Sequence, residues 1–141
     1  MRTAKFSKTE ALTRGFKCYS YGVTDFEAAV LFYNSLFKTL NFISHEIDGV
    51  KSYCFKELGV YFELKSATPT RTRRYYKSKS VNSDPLSIQV DSKEQVDTMY
   101  TAISFFDLVD HRRPKHYSFD GREMYALYFN DIEGFSVEIF Y

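Results

Sequence analysis

Two glutamates interrupt stretches that otherwise have the pattern of β-strands. Glu63 lies in "VYFELKS" (60–66), and Glu138 lies in "SVEIFY" (136–141). A carboxylate on an exposed strand is hydrated, whereas one on a covered face needs a hydrogen-bond donor, a proton or a cation. If both are covered, local Tyr and Ser hydroxyls can hold them, or they can act as a catalytic acid–base pair that shares a proton. They can also pair with a cation such as Lys65 or an arginine, or receive a cationic ligand.

The alternation of side chains along a strand decides which residues share a face with each glutamate. The two glutamate-bearing strands, and the strands that open each half of the chain, give four such sets. They are Tyr61, Glu63 and Lys65; Ser136, Glu138 and Phe140; Cys18, Ser20 and Gly22; and Pro85, Ser87 and Gln89. Together the sets offer two carboxylates, a thiol, small hydroxyls and aromatic rings.

The elements that carry these residues occur in the same order twice. The first copy is predicted as a strand at 16–23, an amphipathic helix that begins at Thr24 or Asp25, and strands at 42–47, 50–57 and 60–65. The second copy is predicted as a strand at 85–91, a helix at 92–107, and strands near 109–118, 123–129 and 136–141. Local signals support both copies, among them a capping box at Ser92 and Gln95 and a hairpin turn at Asp48-Gly49.

This repeat predicts an α+β fold of two tandem βαβββ modules. A period of about 65–70 residues is too long for a solenoid and fits a duplicated module. We expect a polar segment at 1–14, followed by a single domain at 15–141. Within that domain, modules at 15–66 and 85–141 are joined by a basic loop at 67–84. The sheets are expected to form a curved, cavity-bounding surface with both helices packed outside.

The loop between the modules is polar and basic. Its stretch "RTRRYYKSK" (71–79) carries five cationic residues and no acidic one. Cations interleaved with tyrosines suit phosphates and stacked bases, but a solvated surface loop has the same composition. Lys plus Arg (19) nearly balances Asp plus Glu (18) over the whole chain, which favours the solvated loop. We expect neither a nucleic-acid nor a membrane partner.

Length and composition indicate an ordinary globular chain. The 141 residues are enough to bury a core without disulfides or structural metals. Cys18 and Cys54 have no metal-ligand spacing, and two cysteines without a disulfide-rich pattern favour reduced thiols in the cytoplasm. No apolar run approaches the roughly 18–20 residues that span a bilayer. The 14 Phe and 12 Tyr suit either a wide aromatic core or an aromatic-lined cavity.

Four stretches carry a family resemblance. They are "YGVTDFEAAVLFYNSLF" (21–37), "VYFELKS" (60–66), "LSIQVDSKEQVDTMYTAI" (86–103) and "YFNDIEGFSVEIFY" (128–141). In this order, and with the duplicated topology, they resemble the vicinal oxygen chelate superfamily of glyoxalase I, bleomycin-resistance proteins and extradiol dioxygenases. The resemblance covers nearly the whole chain from residue 16 onward, apart from the basic loop.

In metal-dependent members of that superfamily, the resemblance implies a ligand early in the first strand of each module, commonly His, and one in the last strand, commonly Glu. The Glu positions fall on Glu63 and Glu138, whereas the first-strand positions fall on Cys18 and Pro85. Proline offers no side-chain ligand, and a soft thiolate and hard carboxylates favour different ions. His45, His111 and His116 lie outside the ligand positions. We therefore expect no standard metal site and no cofactor; a divalent metal, if bound, would have Glu63, Glu138 and Cys18 as ligands.

The resemblance further implies that the four sets face one cavity. The ligand-binding residues expected there are Cys18, Ser20, Tyr61, Glu63, Ser87, Gln89, Glu138 and Phe140. Three hypotheses follow. The first is a protein that binds a small cationic or aromatic molecule without a standard metal site. The second is a metal-dependent, glyoxalase-like lyase or isomerase, or a dioxygenase, with an altered ligand set. The third is a non-catalytic interaction protein that uses the fold to dimerise, since superfamily members are often homodimers. No catalytic residue is predicted.

Overall fold

The computed structural model of the chain describes residues 6–66, 85–108 and 112–141. Its helices and strands, in chain order, are α1 (Lys8–Thr13), β1 (Lys17–Val23), α2 (Phe26–Leu36), β2 (Ile43–Ile47), β3 (Val50–Phe55), β4 (Val60–Ser66), β5 (Leu86–Gln89), α3 (Lys93–Ile103), β6 (Lys115–Phe119), β7 (Arg122–Asn130) and β8 (Ser136–Phe140). The basic loop 67–84 and His111 lie outside the described residues.

The strands form two four-stranded sheets with the same topology. The first sheet has the order β1-β4-β3-β2, and the second has the order β5-β8-β7-β6. In each sheet the first strand pairs in parallel with the last, and the remaining pairs are antiparallel. The predicted α+β fold of two βαβββ modules is therefore confirmed.

Short polar side chains begin each of the helices. The Asp25 carboxylate accepts the backbone N–H of Ala28 at the start of α2, and the Ser92 hydroxyl accepts that of Gln95 at the start of α3. Helix α1 begins with a complete capping box between Ser7 and Glu10. This segment was predicted only as polar, although its Ser-x-x-Glu pattern is a signal for the start of a helix.

Both sheets contain the same hairpin turn. Asp48 and Gly49 join β2 to β3, and Asp120 and Gly121 join β6 to β7. All four residues have positive φ, from 50° to 76°, which is the left-handed pair that a type I′ turn requires. The first turn was predicted from its Asp-Gly dipeptide, and the second carries the same dipeptide.

The chain divides into two compact units. The first contains the described residues up to Val30 and those from Leu40 to Ser66, and the second contains Leu31–Thr39 together with the residues from Pro85 onward. In the second unit the Phe32 ring from α2 packs edge-on against Phe106 and Phe129. None of the helices in the described part of the chain is long and apolar enough to cross a membrane.

Candidate functional site

Strand register places the first glutamate in a polar row across the first sheet. Ser20 of β1 is the partner of Glu63 in β4, Glu63 is the partner of Ser52 in β3, and Ser52 is the partner of His45 in β2. Register partners project to the same side, so these four side chains share one face. The Ser52 hydroxyl lies 3.2 Å from His45 Nε2. We call this side the polar face of the first sheet.

The next row on this face is covered by the start of the chain. Cys18, Tyr61 and Cys54 are register partners one step from the glutamate row. They pack in a single apolar cluster with Phe6 and Ala11, which are 2% and 0% exposed. Helix α1 contacts both β1 and β4, so this part of the face is closed by the protein itself.

Glu63 is paired with lysines. Its Oε1 lies 3.2 Å from Lys8 Nζ and 3.6 Å from Lys65 Nζ, and Glu63 is only 6% exposed. The sequence had offered Lys65 as one of several possible partners, and Lys8 was not foreseen. A nearly buried carboxylate with two ammonium groups already has the positive charge that its burial requires.

The groups beside Glu63 are poor nucleophiles and poor anionic ligands. Burial raises the pKa of the Cys18 thiol, with Lys8 opposing and Glu63 adding to the shift. Burial also raises the pKa of the Cys54 thiol and of the Tyr61 hydroxyl. Since the thiolate is the form that attacks substrates and binds metals, neither cysteine is activated here.

The second glutamate lies in an equivalent row of the second sheet. Ser87 of β5 is the partner of Glu138 in β8, and Glu138 is the partner of Tyr128 in β7. The Ser87 hydroxyl donates to Glu138 Oε1 at 2.5 Å, and the Tyr128 hydroxyl also bonds this carboxylate. Glu138 is half-buried, and among the described residues it pairs with no lysine or arginine. We call this side the polar face of the second sheet.

A cavity adjoins this row. It has a volume of about 490 Å³ and is lined by Pro85, Arg112, Tyr117, Tyr128, Phe129, Asn130, Ser136 and Val137. Tyr128 connects it to Glu138, and its ring meets that of Tyr117 edge-on at 5.3 Å. Burial, followed by the hydrogen bond to Glu138, raises the pKa of Tyr128 to about 12, so its phenol stays a hydrogen-bond donor near neutral pH.

A third carboxylate in the same unit is structural. Asp131, in the loop between β7 and β8, is 5% exposed, and Oδ1 accepts the backbone N–H groups of Glu133 and Phe135, each at 2.9 Å. The Tyr33 hydroxyl donates to the other oxygen. Burial raises the pKa of Asp131 to about 6 despite these donors. The carboxylate therefore holds the loop that leads into β8.

The eight predicted site residues fall into two groups of four. Cys18, Ser20, Tyr61 and Glu63 share the polar face of the first sheet, and Ser87, Gln89, Glu138 and Phe140 share that of the second. The two groups belong to different units, and a common cavity for them stays a prediction. Lys8, Ser52, Tyr117 and Tyr128 were missed. Ser52 and Tyr128 follow from strand register, which the sequence pattern does not fix.

The side chains on these faces do not fit a standard divalent metal. Such a site needs three or four protein ligands around one ion. The described residues contain no group of three His, Cys, Asp or Glu side chains arranged to hold one. A cation at Glu63 would also meet the Lys8 and Lys65 ammonium groups. The ligand set Glu63, Glu138 and Cys18 therefore has no support in the chemistry around Glu63.

The described fold matches several solved structures, among them glyoxalase/bleomycin resistance proteins. A glyoxalase/bleomycin resistance protein from Albidiferax ferrireducens T118 superimposes with a TM-score of 0.70 at 18% identity, over 89% of this chain and 98% of that chain. The chain has the vicinal oxygen chelate fold. The fosfomycin resistance protein FosX from Mesorhizobium loti matches with a TM-score of 0.59 at 16% identity, over 89% of this chain and 90% of that one. The superfamily resemblance read from the sequence is thus confirmed for the fold.

Other comparisons set the limits of this likeness. No protein-family model and no curated protein matches the sequence. FosX from Listeria monocytogenes, with a TM-score of 0.60 at 16% identity over 89% of this chain and 87% of that one, was solved in complex with Mn(II) and a dihydroxypropylphosphonic acid. Identities this low establish the fold and leave the ligands of this chain to its own residues.

Proposed function

We propose that the chain is a glyoxalase/bleomycin-resistance-like protein that binds a small cationic or aromatic molecule without a standard metal site. The ligand contacts the polar face of the second sheet. The observation that carries this proposal is the half-buried Glu138, which is bonded by hydroxyls and lies beside an aromatic-lined cavity.

The charge on Glu138 favours a cationic ligand. Ser87 and Tyr128 hydroxyls stabilise the carboxylate, but they do not neutralise it. In the first sheet the corresponding glutamate has an ammonium partner at 3.2 Å. A ligand that brings a positive charge to Glu138 would supply the same complement.

The cavity walls favour an aromatic group on that ligand. Its volume, about 490 Å³, lies within the roughly 300–1,000 Å³ typical of small-molecule pockets. The Tyr117 and Tyr128 rings offer surfaces for stacking and for cation–π contact. Arg112 also lines the cavity, where its guanidinium suits a planar ring and disfavours a bare inorganic cation. The cavity walls therefore favour an aromatic ring, and Glu138 beside them favours a positive charge on the same ligand.

Calorimetric titration of hits from a thermal-shift screen tests the proposal. The screen pairs aromatic ammonium compounds with neutral alcohols that carry the same ring. We expect the ammonium member to bind more tightly, and Glu138→Gln to weaken it by about tenfold, the ratio given by one charge-assisted hydrogen bond. The matched control is Glu123→Gln, an exposed glutamate whose position in β7 projects to the opposite side of the same sheet. Hits that bind equally well to wild type and Glu138→Gln would refute the proposal.

Metal-dependent chemistry is the second candidate because a structural neighbour, FosX, binds Mn(II). Elemental analysis of protein purified without chelators distinguishes the two candidates. The metal-dependent candidate predicts stoichiometric Mn, Zn, Ni or Fe that is lost when Glu63 and Glu138 are both changed to Gln. That result would favour a lyase, isomerase or dioxygenase function over metal-free binding. The homodimer expected from the resemblance stays a prediction, which light scattering in solution tests.

A further inference from the structure

We propose that residues 6–13 are a resident ligand of the first sheet, and that the Lys8 ammonium occupies a site for a primary ammonium ion at Glu63. This inference goes beyond the proposed function, which concerns the second sheet. It assigns the first glutamate a cation supplied by the protein itself.

The segment is anchored at Phe6. The Phe6 ring is 2% exposed and stacks on the Phe16 ring, with centroids 5.4 Å apart and planes 17° from parallel. Two cations lie near the same ring, since Arg14 Cζ is 5.3 Å and Lys56 Nζ is 5.1 Å from its centroid. A buried aromatic ring with stacking and cation–π neighbours is the kind of anchor that dominates a recognition surface.

Helix geometry then brings the ammonium group to the carboxylate. The capping box fixes the first turn of α1, and positions three apart on a helix project to one side. Ala11 is accordingly buried in the cluster with Cys54 and Tyr61, and Lys8 reaches Glu63 Oε1 at 3.2 Å. Thr9 and Leu12 of the same helix are exposed. One face of the short helix therefore matches the sheet in both shape and charge.

The environment of Glu63 favours an ammonium group over a metal ion. An ammonium group needs one charge-assisted hydrogen bond and an apolar wall for its carbon chain, and Glu63 with the neighbouring cluster provides both. Lys65, 3.6 Å away, is a second cation beside the same oxygen, so a doubly charged ion would be repelled more strongly than a singly charged one. The ligand class that fits is a primary alkylammonium ion.

Thiol reactivity provides a direct measure of this contact. Both cysteines of the sequence, Cys18 and Cys54, pack in or against the cluster that Phe6 and Ala11 cover. Because Lys8 itself lowers the pKa of Cys18, the rate is read at Cys54. In full-length Lys8→Ala, Cys54 should be modified by a thiol reagent about fivefold faster than in wild type, the ratio expected from a weakened contact of this type. Lys17→Ala, which removes an exposed lysine from β1, is the matched control and should react at the wild-type rate.

Chemical rescue tests the ammonium site itself. Millimolar n-propylammonium replaces the deleted part of the lysine side chain and should slow modification of Lys8→Ala toward the wild-type rate. It should leave wild type and the double variant Lys8→Ala/Glu63→Gln unchanged. Tetramethylammonium has no N–H donor and should not protect any of them.

Two results would overturn the inference. One is a modification rate that is unchanged in both Lys8→Ala and Lys8→Met. Lys8→Met removes the ammonium group but keeps an apolar side chain, so it serves as the test if Lys8→Ala does not fold. The other is equal protection by tetramethylammonium and n-propylammonium, which would reduce the effect to ionic strength. Neither result touches the Glu138-dependent binding proposed above, so the two ideas fail separately.

Discussion

The polar faces of the two sheets share a register but differ in what covers them. In each sheet a serine of the first strand lies beside a glutamate of the last strand, Ser20 with Glu63 and Ser87 with Glu138. Helix α1 covers part of the first face and supplies Lys8 to its glutamate. Glu138 instead bonds two hydroxyls beside a cavity.

This difference shows how a duplicated scaffold can divide its tasks. The same strand pairing presents a carboxylate twice, but the surroundings decide what each carboxylate can do. A paired, nearly buried glutamate stabilises one arrangement of the chain. The half-buried Glu138, which lacks a cation partner in the described part of the chain, is where we propose that a ligand binds.

The largest expected effect comes from removing the anchor of α1. Phe6→Ala deletes a ring that is 2% exposed, and we expect it to lower the free energy of unfolding by about 3 kcal/mol or more. Phe140→Ala removes a half-buried ring from the polar face of the second sheet and should lower the free energy of unfolding clearly less. Chemical denaturation of both variants measures the difference. Equal losses would mean that the two faces are covered alike.

The second prediction concerns pH and the loop before β8. Asp131 titrates near 6 in the fold against a usual value of 3.8, so the folded state binds its proton more tightly than the unfolded state. Its contribution to stability should therefore fall as pH rises from about 4 to about 6, by at most about 3 kcal/mol, and stay constant above that range. Asp131→Asn should remove this dependence. Glu57→Gln, an exposed site in the corresponding loop of the first sheet, should retain it.

The third prediction compares the two hairpin turns. Gly121→Ala places a side chain at a φ of 73° with open space around it, which should cost about 1–2 kcal/mol. Gly49→Ala has nearly the same φ, but its Cβ would lie 3.2 Å from that of Ser66, so its cost should be larger. Thermal unfolding ranks the two variants. A Gly121→Ala variant that is the less stable of the two would contradict the steric argument.

The smallest effect separates the two glutamates. Glu63→Gln should destabilise the protein by about 1 kcal/mol or less, because Lys8 is 44% exposed and solvent screens the pair. High salt should reduce this difference from wild type. Glu138→Gln should lower the free energy of unfolding by less still and show little salt dependence, because the amide oxygen can still accept a hydrogen bond from a hydroxyl group. A larger loss for Glu138→Gln would reverse the assignment of the two faces.

Sequence patterns predicted what depends on local chemistry. Elements were defined over a few residues by helical spacing, by the Ser92 cap and by the Asp48-Gly49 turn. Strand alternation correctly placed Cys18 and Ser20 on one face of β1, and Tyr61 and Glu63 on one face of β4. Pairing over long distances was beyond these patterns. Lys8 and Glu63 are 55 positions apart, and nothing in either segment encodes the other.

The buried contact of Asp131 illustrates the same limit. The motif around it was recognised through the superfamily resemblance, but its partner Tyr33 lies 98 positions away in α2. A helix pattern predicts that Tyr33 is buried without naming the group that its hydroxyl meets. Only the packed structure shows that this phenol satisfies a carboxylate.

The strand order has a consequence for how the protein folds. In each sheet the last strand lies inside, between the first strand and the preceding one. The antiparallel strands β2 to β4 and β6 to β8 can therefore assemble from neighbours in sequence, whereas β1 and β5 must wait for a strand made much later in the chain. Pulsed hydrogen exchange during refolding should find β1, β5 and α1 protected last, and early protection of β1 would contradict this order. Each glutamate would then meet its serine only in the final step of folding.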